Sequence, residues 1–404
     1  MKRIAIFFDG TGNRHDVTYQ TNVVLMSRAV AHQCSDGRPQ IVQYYPGVGS
    51  GRGSNWVSRN LDTLLGSVLA LGIVDILAEA FRHLAFAYEP GDEIHVYGFS
   101  RGAFMARLFV GLIRCSGIPP RRNVGMISTA VARFVSRHPA TAPDHPDSWV
   151  FRADFAPYTA TSIEEQADRR KSGGESILLE ISYVGLWDTV RSIVLPQRMP
   201  GAKDHPDRPF LFHDLCLSRM VRSARHAMAL DERRRLYSPV PWSNLEDLNT
   251  RMGDPLRPYQ QQWFPGDHGS VGGGGEEIGL SSIALDWVAA GAERAGLEFG
   301  RRELHQMDET RNLTADLHNK GGPKGVLGMM LKAMRSDRPG PVQLQDLSLA
   351  ALERYRRDPR YRPSSLRLLR DELEGLVASE IDAVRAGFLR VDPVKDEARE
   401  ETRA

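Results

Sequence analysis

The chain has 404 residues, with 52 Lys and Arg against 50 Asp and Glu, so its formal net charge is +2. A balance that close gives no whole-chain reason to expect a nucleic-acid or membrane-surface protein. Hydrophobic residues at 41% and charged residues at 25% exclude disordered and fibrous classes.

Met1-Lys2-Arg3 precedes only a short apolar run before Asp9, too little for a signal-peptide core. The three cysteines, Cys34, Cys115 and Cys216, have no metal or CxxC spacing, which fits a reducing compartment and predicts neither disulfide nor metal. The default address is cytoplasmic, and no cofactor is expected. The best apolar stretch, Leu64 to Ala80, is broken by Ser67, Asp75 and two glycines, so it falls short of the roughly 18 uninterrupted apolar residues of a membrane span.

Ile4 to Phe8 reads as a buried strand ending in the polar turn Asp9-Gly10-Thr11-Gly12-Asn13. Thr21 to His32 has helical spacing, and Ile41 to Tyr45 reads as a second strand. Gly47 to Gly53 is glycine-dense but lacks the lysine and hydroxyl pair of a phosphate loop, so it reads as a loop. Leu61 to Tyr88 is a predicted helix. Glu93 to Gly98 is a third strand running into Ser100, and Ala103 to Cys115 is a helix apolar on nearly every side. Strands alternating with helices predict an α/β fold with a mostly parallel sheet covered on both faces.

From about residue 119 to 174 the proline-rich, charged texture reads as a partly helical insertion. Strand character returns at Ser176 to Val184, ending in Gly185-Leu186-Trp187-Asp188, and at Gln260 to Phe264, ending in Pro265-Gly266-Asp267-His268; a helix follows at Ser281 to Ala295. The expected organisation is a core over 1–300 carrying that insertion and a mostly helical extension over 301–404 packed on it. Within the extension lie a Pro-rich patch at Arg338 to Pro341, an Arg-rich run from Arg356 to Arg370 that reads as a solvated face, and a polar tail from Asp396.

The strongest local signal is Gly98-Phe99-Ser100-Arg101-Gly102, a GxSxG between strand and helix. The flanking glycines Gly98 and Gly102 permit a sharp elbow that presents the serine hydroxyl, and the Arg101 amide at the helix start is placed to donate to an oxyanion. A second donor is expected from Gly10 or Thr11; the alternative is a plain strand-to-helix turn capped by Asp9 or Thr11. A serine needs a base, and the base an orienting carboxylate. Of the 12 histidines, His268 follows a strand and opens a glycine-rich loop, whereas His83 lies in a predicted helix and His95 in a predicted strand. His226, the main rival, is predicted on a helix as a buried, hydrogen-bonded residue. Asp188 also follows a strand, and Asp267 is a fallback acid. The order Ser100, Asp188, His268 is that of the α/β-hydrolases. Asp9, Asp188 and Asp267 lack calcium-loop spacing.

FFDGTGN at Phe7, TNV at Thr21, YYPGVGSG at Tyr44, VYGFSRGAFMAR at Val96, GLWDTV at Gly185, HAMALDERRRLYSP at His226 and WFPGDHGSVGGG at Trp263 together resemble the bacterial type VI secretion lipase effectors of the first family. These belong to a broader α/β-hydrolase family, with a GFSRGA elbow, that also occurs in fungi. The resemblance covers roughly residues 1–297, with YRPSSL at Tyr361 a weaker echo. It implies a triad carried onto Ser100, Asp188 and His268, phospholipase activity of A1 or A2 type on glycerophospholipids, and export by a signal-peptide-independent route. Chains of that class are often longer, with further domains engaging membrane or secretion machinery.

The sequence thus predicts a serine ester hydrolase, with Leu64 to Ala80 and the 119–174 insertion serving either as acyl-contact or lid surfaces or simply as packing over the sheet. The rivals are a carboxylesterase or thioesterase on a soluble or polymeric ester, and a non-catalytic hydrolase-fold binding module. Expected partners are a phospholipid or other ester substrate, with transient membrane contact and a secretion or immunity protein as further candidates, and no nucleic acid.

Overall fold

A computed structural model of the protein describes residues 1–48, 65–136, 138–190, 216–300, 303, 309–319 and 336–376. Most of the glycine-dense loop and the polar tail fall outside these residues, and in the Leu64 to Ala80 stretch side chains are described only from Gly72. The strands are β1 (Arg3–Phe8), β2 (Gln40–Tyr45), β3 (Glu93–Phe99), β4 (Thr159–Ala160), β5 (Ile177–Leu178), β6 (Tyr183–Trp187), β7 (Ala224–Ala229) and β8 (Tyr259–Phe264). Six of them form one parallel sheet in the order β2-β1-β3-β6-β7-β8, and β4 pairs with β5 apart from it.

Strand side chains alternate between faces, and β1 shows the consequence. Ile4, Ile6 and Phe8 join one core with helices α2 (Leu65–Ala87), α3 (Arg101–Ser116) and α4 (Ile127–Ser136). Ala5 and Phe7 join a second core, on the opposite face, with α1 (Asn22–Ala29) and α9 (Gly279–Arg294). In this count α5 is Pro146–Phe155, α6 Ile163–Lys171, α7 Leu245–Met252 and α8 His268–Gly272. All of β1 is buried, because a parallel central strand is covered on both faces. The result is an α/β-hydrolase-like fold with helical insertions. Among the described residues no single helix is long and apolar enough to cross a membrane.

Two element expectations change. The single strand predicted over Ser176 to Val184 is divided: β5 pairs with β4 in the insertion, and β6 starts only at Tyr183. His226 sits not on a helix but in the middle of β7, paired with β6 and β8 through Leu186 and Gln261. The sequence ARHAMA is alanine-rich and favours helix by propensity, but burial between two strands overrides that preference.

The insertion is held by a buried ionic knot. Arg152 donates to both oxygens of Glu165 (3.0 Å each), and Arg169 donates to Glu165 Oε1 (2.6 Å). Past the core, α10 (Leu349–Arg357) and α11 (Arg370–Gly375) contribute to a third apolar cluster, in which Leu347, Leu352, Tyr355 and Leu369 meet Met228 of β7 and Trp263 of β8. Leu347 bridges Trp263, and the Ser348 amide donates to its carbonyl (3.0 Å), so this segment covers the outer edge of β8.

Candidate active site

The site forms at the carboxyl ends of β3, β6 and β8, where open parallel sheets leave a crevice. Ser100 falls between β3 and α3 with φ 61° and ψ −125°, a left-handed conformation that a side chain adopts only under constraint. The constraint comes from close backbone approaches on either side. A Cβ at Gly98 would lie 2.5 Å from the Gly102 carbonyl oxygen, and one at Gly102 would lie 2.2 Å from the Phe8 oxygen. Both positions therefore require glycine. Asp188, the first residue past β6, also has positive φ (38°).

Three side chains distant in sequence form one chain of hydrogen bonds. Ser100 Oγ lies 2.8 Å from His268 Nε2, and His268 Nδ1 lies 2.6 Å from Asp188 Oδ2. All three are buried. Phe99 and Tyr237 flank the imidazole, with ring centroids 4.6 and 4.7 Å away. The His268 amide donates to Glu232 Oε2 (3.3 Å), which fixes the start of α8.

Burial pushes the His268 imidazole below its ordinary pKa, and the hydrogen bond to Asp188 returns only part of that shift. Burial would push Asp188 upward, but Arg338 and His268 outweigh it and hold the carboxyl well below the usual range. The pair at rest is thus a neutral imidazole on an ionised carboxylate, the form in which Nε2 accepts a proton from a hydroxyl.

Gly10 borders the serine: a Cβ there would stand 3.2 Å from Ser100 Cβ. Its amide donates to Asp9 Oδ1 (2.7 Å). Thr11 Oγ1 is buried and has no partner among the described residues. Arg101 opens α3, so its amide belongs to the first turn, whose N–H groups lack helical carbonyl partners. Neither Asp9 nor Thr11 caps α1; Thr21 does, accepting from the Val24 amide (3.3 Å) while its hydroxyl donates to Asp9. Tyr44 donates to Asp9 as well (2.7 Å).

The rival histidines are engaged elsewhere. His226 Nε2 accepts from the Thr189 amide (3.1 Å), and burial, with Arg107 nearby, pushes it down to about 3. His95 is buried in β3 and likewise pushed down to about 3 by burial. His83 meets the Tyr45 hydroxyl (2.8 Å) on α2. Asp267 caps α8 by accepting from the Ser270 amide (2.9 Å). Among the described residues no three His, Cys, Asp or Glu side chains gather as a metal site.

The main participant missed by sequence reasoning is Arg338. It donates to Asp188 Oδ1 (2.6 Å) and Oδ2 (2.9 Å) from 150 positions along the chain. In the sequence it appears only as the first residue of a Pro-rich patch, and no spacing links it to Asp188.

A parallel sheet of this order, with a Ser–His–Asp chain of hydrogen bonds beyond its strand ends, defines an α/β protein of the hydrolase kind. Residues 2–291 match the family described as type VI secretion system (T6SS) phospholipase effector Tle1-like, catalytic domain, and the chain belongs to that family. An uncharacterised protein of Saccharomyces cerevisiae, YEL023C, is 29% identical over 255 residues, 60% of this chain and 33% of its own length. The crystal structure of an uncharacterised protein from Pseudomonas aeruginosa is similar at 17% identity and a TM-score of 0.39, over 76% of this chain and 48% of that one. A structure of the Tle1 effector bound to the VgrG spike of the type 6 secretion system is similar at 18% identity and a TM-score of 0.35, over 69% of this chain and 52% of that one. The chain therefore spans a third of the yeast relative and about half of each structural neighbour.

Proposed function

We propose that the protein is a serine ester hydrolase, a phospholipase of A1 or A2 type acting on glycerophospholipids through an acyl-enzyme. The observation that carries this reading is the Ser100–His268–Asp188 chain, at 2.8 and 2.6 Å, with the serine on a positive-φ elbow. Ser100 Oγ attacks the acyl carbonyl carbon and passes its proton to His268 Nε2. Asp188 holds the opposite nitrogen and stabilises the imidazolium. The amides of Arg101 and of Gly10 or Thr11 take the oxyanion; that the Gly10 amide already donates to Asp9 favours Thr11 for this role. The imidazolium then protonates the departing alcohol, and water, deprotonated by the same histidine, releases the fatty acid and restores Ser100. Family membership supports the lipid ester as substrate. It also supports export by the type VI route, without a signal peptide, and partners in the secretion apparatus or an immunity protein.

The test compares the parent with Ser100→Ala on mixed phospholipid vesicles and on p-nitrophenyl butyrate. Fatty-acid release from vesicles should fall by several orders of magnitude in the variant, because triad members act as a unit. Ser100-dependent turnover of the soluble ester alone would remove the lipid assignment and leave a carboxylesterase. Absence of labelling by a fluorophosphonate in the parent would leave a binding module.

A further inference from the structure

Asp188 is fully buried, and its carboxylate is saturated by donors. His268 Nδ1 and the Ala229 amide (3.0 Å) supply two hydrogen bonds of the kind expected for a triad acid. The other two come from Arg338, whose two terminal nitrogens fork onto Oδ1 and Oδ2. The same nitrogens donate to the carbonyls of Ala229 (2.9 Å) and Tyr237 (2.5 Å). The guanidinium thus ties the acid to the end of β7 and to the segment whose Tyr237 ring packs on His268. Arg338 is itself buried and held: Arg367 donates to its carbonyl (3.3 Å), Asp337 pairs with Arg233 (2.9 Å), and the Ser336 amide donates to the Arg233 carbonyl (2.9 Å).

We propose that Arg338 is a positioning residue of this active site, supplied by the C-terminal segment from beyond the residues that match the family, and that it fixes Asp188 through both oxygens. The proposal rests on the triad reading given above. A planar fork holds a carboxylate in one orientation, which an ammonium does not. Its charge also acts on the couple as a whole. It keeps Asp188 ionised in a buried setting and opposes a second positive charge on His268, so the imidazole remains the free base to lower pH. Among the described residues, the other charged or titratable groups facing the couple are few. Glu232, against the His268 amide, is paired with Arg234 (2.6 Å). Arg234 lies 4.0 Å from the Tyr237 ring centroid, His226 lies behind Thr189 on β7, and Asp267 caps α8. None of these contacts Asp188 through both oxygens.

The experiment measures kcat/KM against pH on p-nitrophenyl butyrate for the parent, Arg338→Met, Arg338→Lys and Ser100→Ala, with circular dichroism on each. Arg338→Met should move the acid limb upward by about one unit and reduce the plateau about 10- to 100-fold, as for a misplaced catalytic group. Arg338→Lys, which keeps the charge but not the fork, should hold the limb near the parent's and still lose plateau rate. A folded Arg338→Met with an unmoved limb overturns the proposal, whatever its rate, since a structural prop alone would lower activity at every pH alike. If Arg338→Met does not fold, the lysine variant decides: a parental plateau overturns the proposal and a lowered one with the limb in place supports it. If neither folds, the role is structural and the proposal fails. Full activity in Ser100→Ala would instead sink the triad reading beneath it.

Discussion

Ser100 and Asp188 are two of the three non-glycine residues with positive φ among the described residues, and they stand side by side: the Ser100 amide donates to the Trp187 carbonyl (3.0 Å). Strained backbone persists where its surroundings over-determine it, and here both strained residues feed the same imidazole. That imidazole carries a pH prediction. The reaction proposed above needs His268 neutral, and burial already favours the neutral form over the imidazolium. As pH falls through the ordinary histidine range, His268 therefore keeps accepting, and activity is lost only below it. We expect the acid limb of kcat/KM on a short-chain ester to lie below the ordinary imidazole value of about 6.5. A limb at or above that value would mean that the site protonates like an exposed histidine. At this scale the sequence was most legible where chemistry coincides with chain punctuation: Ser100, Asp188 and His268 each stand just past the end of a strand. Arg338 follows no such rule, because its partner is set only by the packing of a remote segment.

At the scale of elements, β1 and β3 were readable as mostly apolar runs, and β8, with its three glutamines, from the Pro265-Gly266 turn that closes it, whereas β7 was not. Its strand character comes from its place between β6 and β8 rather than from alternation, since all six residues are buried. The insertion was legible as a change of texture but not as a structure, because beside the apolar contacts of α4 it is tied by a buried charge cluster that no periodicity announces. Glu165 is fully buried between Arg152 and Arg169 and also accepts from the Thr161 amide (2.8 Å). Removing one partner of such a cluster leaves uncompensated charge, here two arginines, which costs about 3–5 kcal/mol. Glu165→Ala should therefore lower the midpoint of urea unfolding by an amount corresponding to that range; a shift within error would show that water reaches the cluster. Burial pushes the Glu165 carboxyl up, but Arg152, Thr161 and Arg169 outweigh it and leave it below its ordinary value. Its unfolded state thus binds the proton more readily, so this contribution is present at neutral pH and fades as pH falls through the folded-state pKa.

At the scale of the whole molecule, the described residues 336–376 pack directly against the sheet. Leu347, Leu352, Tyr355 and Leu369 complete an apolar cluster with Met228 and Trp263, and Tyr361 donates to Asp231 (2.8 Å), which also accepts from the Gly266 amide (2.7 Å) two residues before His268. The segment that covers the edge of β8 is therefore continuous with the one that carries Arg338 onto Asp188. Sequence texture marked the extension as helical but could not assign it to the site, since an amphipathic helix reports that it packs and not against what. If the two regions are coupled, weakening the cluster should weaken the whole. Leu352→Ala removes a buried side chain and should cost about 2–5 kcal/mol. Under urea, far-UV ellipticity and fluorophosphonate reactivity at Ser100 should then decline along a single curve displaced to lower denaturant. Reactivity lost well before ellipticity would instead mean that the C-terminal segment detaches on its own, leaving a folded sheet whose triad acid has lost its arginine.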